Sequence, residues 1–318
     1  MLVIPAGAAQ PPRPGLPTAL EAARTPVLDE LATEGAVARV ATTPTGLPPG
    51  AETGIASLLG SVPRATVGGG WVDAAAYGVP VPEGLVPWRA DVLYRSGRRA
   101  SIRQARDVCA HLGRCARVTA GNRLLLLSGE RPPDRRLLGL DVRVWPRGEP
   151  PRGPLPVETV VICAQGVAAG TAKLIGARVI CPPGATGDLD TDLCAKARAA
   201  LAAIRANAPR VVVHLGATDE AAHRRQPAAV VEALERMDCE LLGPIRDAVA
   251  SRGGRLAVCP DHGTDPLTGR HDPAPVPALV WGRGVAQAGP AAITERASWE
   301  APLIGPLELL ADWHAVAR

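Results

Sequence analysis

The sequence predicts an α/β protein built around a doubly wound, mainly parallel β-sheet. From Val157 onward, short apolar runs of strand length alternate with longer segments of helical pattern. Consecutive parallel strands need crossover connections, which are usually helices that cover both faces of the sheet. The length of 318 residues and the hydrophobic content of 47% are ample for the core that such a sheet requires.

The first element is the apolar strand MLVIP at the N-terminus, and a helix follows it. The segment TALEAARTPVLDELATEG predicts this helix as a single element, with Thr18 as N-cap, Glu21 three residues later and Gly35 beyond its end. Later strands are predicted in VETVVICA, ARVICPP, PRVVVHLGA and GRLAVCPD, and PVPALVWG indicates another buried strand. The helices between them are predicted in GVAAGTAKLIG, TDLCAKARAALAAIRANA and PAAVVEALERMDCELLGPIRDAVASRG.

The middle of the chain has a different pattern, which indicates an insertion. Residues 86–152 are rich in arginine and show short strand–helix–strand signals. Proline and glycine residues in RPPDRR and WPRGEPPRGPLP mark a boundary near residues 146–156. We therefore predict a small inserted α+β cap domain at 86–152, lying over the sheet. The core domain is then discontinuous and comprises residues 1–85 and 153–318.

Composition and charge exclude several classes of function. No apolar run is long enough to cross a bilayer, and MLVIPAGAAQPP lacks the basic flank and the apolar length of a signal peptide. We therefore expect a cytoplasmic protein without a membrane partner. The formal net charge is only +4 and aromatic residues make up 3%, so nucleic-acid binding is not expected. The seven cysteines are scattered, with no CxxC pair, which predicts reduced and mostly buried thiols.

Titratable side chains follow the predicted strands where a doubly wound sheet binds ligands, beyond the carboxyl ends of the strands. Asp219 and His223 follow PRVVVHLGA at i and i+4 spacing, which puts them on one face if a helix begins there. Asp261 and His262 follow the next strand, and His271 lies in the next loop. Each residue alone would more often be a cap or a loop hydrogen-bonding group, but five together favour a site. Carboxylate and imidazole ligands suit divalent zinc or manganese.

Four longer motifs make a family resemblance specific: LPTALEAARTPVLDELATEG, PPGATGDLDTDLCAKARAAL, HLGATDEAAH and CPDHGTDPLTGRHDPAPVPALVWG. Together they resemble the archaeal-type cofactor-independent phosphoglycerate mutases, which belong to the alkaline phosphatase-like metalloenzymes. The resemblance covers nearly the whole chain and implies an alkaline phosphatase-like fold with a cap domain. It also implies two metal sites, one formed by Asp219, His223 and His271, and a second that retains Asp261 and His262.

Two positions depart from the family pattern. Where the family has an Asp-Gly step after the first strand, this chain has Ala6 followed by glycine. Where the family has its nucleophilic serine, LPPGAETGIASLLG has Ala51, and Glu52 and Gly60 keep the motif in frame. An alanine methyl group can neither attack phosphorus nor ligate a metal, so the phosphoserine route is closed. The resemblance thus implies one intact metal site and a second that has lost two of its four protein ligands.

Candidate anion-binding residues come from the cap segment and from one helix. Arg99 and Arg123 fall where the family places arginines that grip the substrate, and arginine suits bidentate recognition of phosphate or carboxylate. Lys196, which follows the PGATGDLDTD loop, is a further candidate. For each arginine the competing interpretation is a solvated surface side chain. For Lys196 a solvated helix face is the favoured interpretation. The PGATGDLDTD loop itself is compatible with two arrangements: it places backbone N–H groups and Thr186 near the site, or it caps the following helix through Thr191 or Asp190.

Three functions are compatible with these residues. The first is a repurposed metal-dependent enzyme that acts on a small phosphorylated or phosphonate acid, with water or a second substrate as nucleophile. The second is an inactive pseudoenzyme that binds an anionic ligand or a partner protein. The third is an ordinary 2,3-bisphosphoglycerate-independent phosphoglycerate mutase with a different nucleophile. Retention of the five other metal-ligand positions favours the first.

Overall fold

The structure, a computed structural model, describes residues 1–151, 153, 155 and 157–311. The first elements are β1 (Leu2–Pro5), α1 (Ala19–Ala22), α2 (Pro26–Glu34), β2 (Ala36–Val40), α3 (Ala51–Leu58) and α4 (Gly69–Tyr77). The arginine-rich middle segment forms β3 (Val86–Leu93), α5 (Ile102–Leu112), β4 (Ala116–Val118), β5 (Arg123–Ser128), β6 (Arg135–Leu137) and β7 (Leu140–Val144). The remaining elements are β8 (Thr159–Ile162), α6 (Val167–Leu174), β9 (Arg178–Ile180), α7 (Leu193–Arg205), β10 (Arg210–Leu215), α8 (Ala217–His223), α9 (Pro227–Arg236), α10 (Gly243–Ser251), β11 (Arg255–Val258), β12 (Gly263–Asp265), β13 (Arg270–Asp272), β14 (Val276–Gly282), β15 (Leu303–Ile304) and α11 (Pro306–Ala311).

The main sheet has eight strands in the order β15-β2-β14-β11-β1-β10-β8-β9. Its centre and one side are parallel, since β1 pairs in parallel with β10 and β11, and β8 pairs in parallel with β10 and β9. The strand predicted in PVPALVWG is β14, which runs antiparallel to both of its neighbours, β11 and β2. The predicted α/β class with a mainly parallel sheet is confirmed.

Helices pack against apolar side chains on both faces of this sheet, which makes it doubly wound. In β1 the Val3 side chain belongs to one hydrophobic cluster, whereas Leu2 and Ile4 belong to the other. The first cluster includes Leu31 of α2, and the second includes Ile55 of α3. A strand buried on both faces needs a continuous apolar run, because successive side chains point to opposite sides. This explains why the strand signals in the sequence are unbroken apolar runs.

The middle segment forms a separate five-stranded antiparallel sheet in the order β4-β5-β3-β7-β6. Helix α5 packs on this sheet through Ala105 and Val108, which join the apolar cluster formed by its strands. The predicted cap domain at 86–152 contains all of these elements, but its exact limits stay a prediction. Of the expected boundary near 146–156, residues 152, 154 and 156 lie outside the described residues.

The first predicted helix is in fact two helices. Its start is as expected, because Thr18 Oγ1 accepts from the Glu21 amide at 3.3 Å and the Glu21 carboxylate accepts from the Thr18 amide at 2.8 Å. The single helix expected from TALEAARTPVLDELATEG is wrong, since α1 ends at Ala22 and α2 begins at Pro26. Proline has no amide hydrogen and disfavours helical geometry in the preceding residue, so the chain breaks before it.

The long helix predicted in PAAVVEALERMDCELLGPIRDAVASRG is also interrupted. Between α9 and α10, residues Met237–Leu242 form a π-helical turn. Pro244 follows this turn and cannot donate the amide hydrogen bond that a continuous α-helix would require, which explains the wider turn. Within the described ranges, no helix is long and apolar enough to span a membrane.

The expectation of mostly buried cysteines is wrong. Cys163 and Cys259 are buried, whereas the thiols of four others lie in exposed positions: Cys115, Cys181, Cys194 and Cys239. Most of the exposed cysteines lie on helix surfaces or in turns. Because the cysteines are scattered along the sequence, their spacing has no period that would predict burial. The buried Cys163 directly follows β8, and the exposed Cys181 directly follows the neighbouring strand β9.

Candidate functional site

The predicted site residues meet at the carboxyl edge of the main sheet. Strand β10 ends at Leu215 and α8 begins two residues later, so Asp219 and His223 lie on one face of that helix. Asp261 and His262 lie three and four residues beyond the end of β11. His271 does not lie in a loop as expected, because it belongs to β13, which pairs with β12 and turns the chain back toward α8.

Asp219, His223 and His271 form a cluster with the spacing of metal ligands. One ligand atom from each lies within 4.8 Å of the others, and among the described residues no other group of three or more such side chains satisfies this criterion. His223 Nε2 is 3.4 Å from Asp219 Oδ2, and His271 Nε2 is 3.7 Å from Asp219 Oδ1. The two histidine Nε2 atoms are 3.0 Å apart. One carboxylate and two imidazoles therefore converge on one small volume.

Backbone carbonyl groups orient the histidine rings. Nδ1 of His223 donates to the carbonyl oxygen of Gly269 at 2.9 Å, and Nδ1 of His271 donates to that of Pro49 at 3.0 Å. A carbonyl can only accept, so Nδ1 carries the hydrogen and Nε2 points into the cluster. This arrangement is typical of metal-binding histidines, whose second nitrogen is fixed by a hydrogen bond.

Charge at the cluster is unevenly distributed. Burial disfavours the ionised form of Asp219, but the hydrogen bond with His223 and the charges of the histidines outweigh it and lower the pKa of Asp219. The hydrogen bond with Asp219 raises the pKa of His223, whereas burial and the charge of His262 lower the pKa of His271. Asp219 is therefore an anionic group at the centre of the cluster.

A second group of ligand atoms lies deeper, around Asp261. Its Oδ1 accepts from the Gly7 amide at 3.0 Å and is 3.6 Å from His262 Nε2, while its Oδ2 is 3.7 Å from His214 Nε2. Asp261 Oδ2, His262 Nε2 and His214 Nε2 are buried and have no hydrogen-bond partner among the described residues. Buried polar atoms are rarely left without partners, so these three atoms fit a site that holds a further group.

His214 was not singled out from the sequence, although it lies inside a motif that was. It is the last but one residue of β10 and shares its side of the sheet with Ile4, its partner in β1. Its position one residue before the end of β10 is the signal that could have identified it, because residues near the carboxyl ends of neighbouring parallel strands meet at the same edge of the sheet. The apolar run around it favoured treating every residue of that strand as core.

The two alanines at the departing positions lie beside these ligands. Ala6 directly follows β1 and is buried, and Ala51 is the first residue of α3. The turn at Gly7 has φ of 60°, and a Cβ there would overlap the carboxylate of Asp219. A Cβ at Gly54 would overlap the carbonyl of Asp261, so α3 approaches the site closely only because this residue is glycine.

A cavity of about 200 Å³ opens beside both alanines, and its wall includes Asp219 and His214. Arg123 also lines it; the Arg123 Nε is 3.9 Å from Asp91 Oδ1, and its guanidinium lies over the Trp145 ring. Arg123 is therefore the one of the two proposed anion-binding arginines that lies at this cavity.

Arg99 and Lys196 are not at the cavity wall. Arg99 is exposed, in agreement with a solvated surface side chain. The solvated interpretation of Lys196 is wrong: it is fully buried, its Nζ donates to the His214 carbonyl at 3.0 Å, and burial lowers its pKa to about 8. The cap of its helix is Asp192, whose Oδ1 accepts from the Ala195 amide at 2.7 Å, so the expected caps one and two residues earlier are also wrong.

An ion-pair network centred on the buried Arg89 lies next to Ala51 and is not evident from the sequence. Arg89 of β3 donates from Nε and Nη2 to the two carboxylate oxygens of Asp73, each at 2.8 Å, and from Nη1 to Glu52. Burial would lower the pKa of Arg89, but Glu52 and Asp73 raise it above its ordinary value. The network ties the second sheet to α3 and α4, beside the cavity. The sequence gives no signal for this network, because arginine is abundant in the chain and Glu52 lies in a motif whose family resemblance does not indicate an ion pair.

Comparison with known proteins adds a family and a fold. The sequence profile of the Metalloenzyme superfamily matches residues 1–303. The 2,3-bisphosphoglycerate-independent phosphoglycerate mutase of Methanothrix thermoacetophila is 27% identical over 338 residues, covering 84% of this chain and 86% of that protein. A probable 2,3-bisphosphoglycerate-independent phosphoglycerate mutase of Geobacter sulfurreducens is 26% identical, covering 90% of this chain and 91% of that protein.

Two solved structures share the fold over nearly the whole chain. The PH0037 protein from Pyrococcus horikoshii superposes with a TM-score of 0.80 at 23% identity, covering 98% of this chain and 94% of that chain. The cofactor-independent phosphoglycerate mutase from Thermoplasma acidophilum superposes with a TM-score of 0.62 at 17% identity, covering 100% and 99%. At 23% and 17% sequence identity, the similarity to these two structures supports a shared fold and nothing beyond it.

Proposed function

Since this chain belongs to the Metalloenzyme superfamily, we propose that it is a metal-dependent phosphoryl-transfer enzyme or phosphohydrolase that works without a phosphoserine intermediate. The family resemblance inferred from the motifs is confirmed by that match and by the phosphoglycerate mutases among the relatives. The substrate we propose is a small phosphorylated or phosphonate acid. The observation that carries the proposal is the convergence of Asp219, His223 and His271 beside a cavity that Arg123 also lines.

The residues of the cluster would hold one divalent ion, which we propose to be manganese or zinc. Asp219 offers a carboxylate and the two histidines offer Nε2, a donor set that suits either ion. A bound divalent ion would supply Lewis acidity toward a phosphoryl group. The carbonyls of Gly269 and Pro49 would keep both imidazole rings turned toward the ion.

A second ion would bind weakly in this proposal. Asp261 and His262 keep unpartnered ligand atoms, so the deeper group retains some capacity to bind a cation. Ala6 and Ala51 offer only methyl groups where the family supplies a carboxylate and a hydroxyl. Two protein ligands hold a divalent ion less tightly than three or four. His214 Nε2 lies 3.7 Å from Asp261 Oδ2, but among the described residues these side chains do not form a group of three whose ligand atoms all lie within 4.8 Å of one another.

The nucleophile in this proposal is not a side chain at position 51. Ala51 lines the cavity, so water or the hydroxyl group of a second substrate can occupy the space that a serine would fill. Arg123 would bind the anionic part of the substrate, since a guanidinium makes charge-assisted hydrogen bonds to phosphate or carboxylate. Its separation of 3.9 Å from Asp91 is longer than a hydrogen bond, so its donors remain available to a ligand.

One experiment separates this proposal from its alternatives. Protein loaded with manganese or zinc is incubated with a panel of phosphorylated and phosphonate acids, including 3-phosphoglycerate, and phosphate release and phosphoryl transfer are measured. We expect turnover that is lost in His271→Ala and kept in His111→Ala, because His111 is exposed on α5 and far from the cluster in the chain.

The other outcomes point to other functions. The two alanines specifically favour an inactive binding protein, and binding of these acids without any turnover would establish that alternative. A trapped phosphoenzyme, or rapid conversion of 3-phosphoglycerate, would instead indicate an ordinary mutase with a different nucleophile. Turnover that survives His271→Ala would contradict the assignment of the metal cluster.

A further inference from the structure

Two of the seven cysteines lie side by side at the carboxyl edge of the main sheet. Strands β8 and β9 pair in parallel with Ile162 opposite Ile180, and the Cys163 amide donates to the Ile180 carbonyl at 3.1 Å. Cys163 directly follows β8, and Cys181 directly follows β9. Neighbouring strands lie about 4.8 Å apart, which is within the Cα separation of about 4.4–6.8 Å that a disulfide spans.

The two thiols have different environments. Cys163 is fully buried in the apolar cluster on one face of the sheet, whereas Cys181 is exposed and its Sγ donates to Gln165 Oε1 at 3.6 Å. Their mutual interaction is the largest influence on both: it raises the pKa of Cys163 well above its ordinary value and lowers the pKa of Cys181 to about 7. An accessible thiol with thiolate character beside a second thiol is the arrangement of redox-sensitive pairs.

Positive charge gathers at the same place, although the chain contains hardly any lysine. Lys173 and Lys196 are the only lysines in the sequence, and both also lower the pKa of Cys181. Lys196 is buried beneath the sheet edge, and Lys173 donates from Nζ to the Ala76 carbonyl at 3.0 Å. The two cysteines and the two lysines have no role in the function proposed above. Their proximity at this edge of the sheet therefore calls for a separate explanation.

We propose that Cys163 and Cys181 form a reversible disulfide when the protein meets hydrogen peroxide, so that this edge of the sheet is a redox modification site. The Cys181 thiolate attacks one peroxide oxygen, the O–O bond breaks, and the departing hydroxide takes a proton to become water. The resulting sulfenic acid is attacked by the Cys163 sulfur, which loses its proton, and a second water leaves as the S–S bond forms. The two thiols are oxidised by two electrons and the peroxide is reduced to two waters.

The disulfide would alter the wall of the cavity. Gln165 lines that cavity, and it is held by the Cys181 thiol at Oε1 and by the Ala76 carbonyl at Nε2. Disulfide formation removes the S–H donor and leaves Oε1 without it. Ala164 and Gly166 line the cavity as well and lie one and three residues after the buried Cys163, so the oxidised pair would act on the same short segment.

The test uses the whole protein and does not depend on its activity. Reduced protein is treated with hydrogen peroxide, digested with trypsin without reduction, and examined by mass spectrometry. Cleavage after basic residues yields one peptide of residues 153–173 that carries Cys163, and one of residues 179–196 that carries both Cys181 and Cys194. The variant Cys194→Ser removes this ambiguity, because a link between the two peptides can then involve only the proposed pair.

We expect that link to form in wild type and in Cys194→Ser, with loss of two titratable thiols that a thiol reductant restores. In Cys163→Ser, or in Cys163→Ala if the serine variant does not fold, Cys181 should stop at a sulfenic acid that dimedone traps. Folded wild-type protein that forms no such link, or in which Cys181 reacts no faster than the exposed Cys239, would overturn the proposal. A loss of phosphoryl-transfer activity would bear only on the proposed function, because the crosslink is read chemically.

Discussion

Replacing Lys196 by methionine tests whether a charged amine is buried beneath the carboxyl edge of the main sheet. Lys196 Nζ donates a hydrogen bond to the His214 carbonyl at 3.0 Å, and its side chain is fully buried. Burial lowers its pKa from 10.5 to about 8, against the opposing influence of Cys163 and Cys181. Between these two values the unfolded chain binds more protons than the folded chain, so the free energy of unfolding rises with pH across that interval.

The magnitude follows from the difference between the two pKa values. A lowering from 10.5 to about 8 corresponds to a penalty of about 3 kcal/mol, which is fully present below the folded-state pKa and disappears above the unfolded-state pKa. Raising the pH from about 7 to about 10 should therefore recover about 2.5 kcal/mol in wild type beyond what the other groups contribute. Lys196→Met has no proton to lose here and should not show this gain.

The assay is urea unfolding at a series of pH values under reducing conditions. The control is Lys173→Met, which removes the other lysine of the chain from an exposed position and should keep the wild-type pH dependence. Loss of the hydrogen bond to His214 would shift the whole Lys196→Met curve by about 1 kcal/mol but would not change its slope. Parallel curves for wild type and Lys196→Met would refute the reasoning, because the buried ammonium would then carry no penalty.

Three further changes test the site and its surroundings. Arg123→Ala should weaken binding of phosphorylated acids by about 1.5–3 kcal/mol in calorimetric titrations, whereas Arg99→Ala should bind them as wild type does; equal affinities for both variants would remove Arg123 from the site. The unmodified protein should convert little or no 3-phosphoglycerate to 2-phosphoglycerate, and Ala51→Ser alone should not restore this conversion. The double variant Ala6→Asp with Ala51→Ser is the fairer test of whether the family's route can be restored. A wild-type rate typical of a mutase would show that the nucleophile was misplaced. Arg89→Met leaves the buried carboxylate of Asp73 and the half-buried one of Glu52 without this partner, and should lower the free energy of unfolding by about 3–5 kcal/mol in denaturant titrations, while Arg99→Met should be neutral. A stable Arg89→Met protein would show that the network contributes little.

The architecture could be predicted because its signal is periodic and local. Strands buried on both faces are unbroken apolar runs, and each is followed by a helical segment, so the α/β class follows from the order of the segments. The antiparallel direction of β14 could not be predicted, because the apolar pattern of a buried strand does not indicate whether it runs parallel or antiparallel to its neighbours. Pro26 and Pro244 are plain in the sequence, and each can interrupt a helix. Whether a proline breaks or only distorts the helix depends on the packing of the residues around it, which the sequence does not show.

The site was predictable in part for the same reason. The ends of parallel strands meet at one edge, so Asp219 and Asp261 could be expected near each other without knowledge of their contacts. His214 was concealed because it lies within an apolar strand. The pairing of Arg89 with two carboxylates could not be derived, since it joins residues on separate elements that approach only after folding. Tertiary contact also decided the burial of Lys196, whose helix pattern indicated an exposed face.

The central claim is that this chain holds one divalent ion at the cluster of Asp219, His223 and His271, and metal content tests it most directly. Protein is loaded with manganese or zinc, freed of loosely bound ions by gel filtration, and analysed for its elements. We predict close to one equivalent per chain in wild type and in the control His111→Ala, and almost none in His223→Ala. Two tightly held ions in wild type, no retained ion, or full retention in His223→Ala would contradict the account.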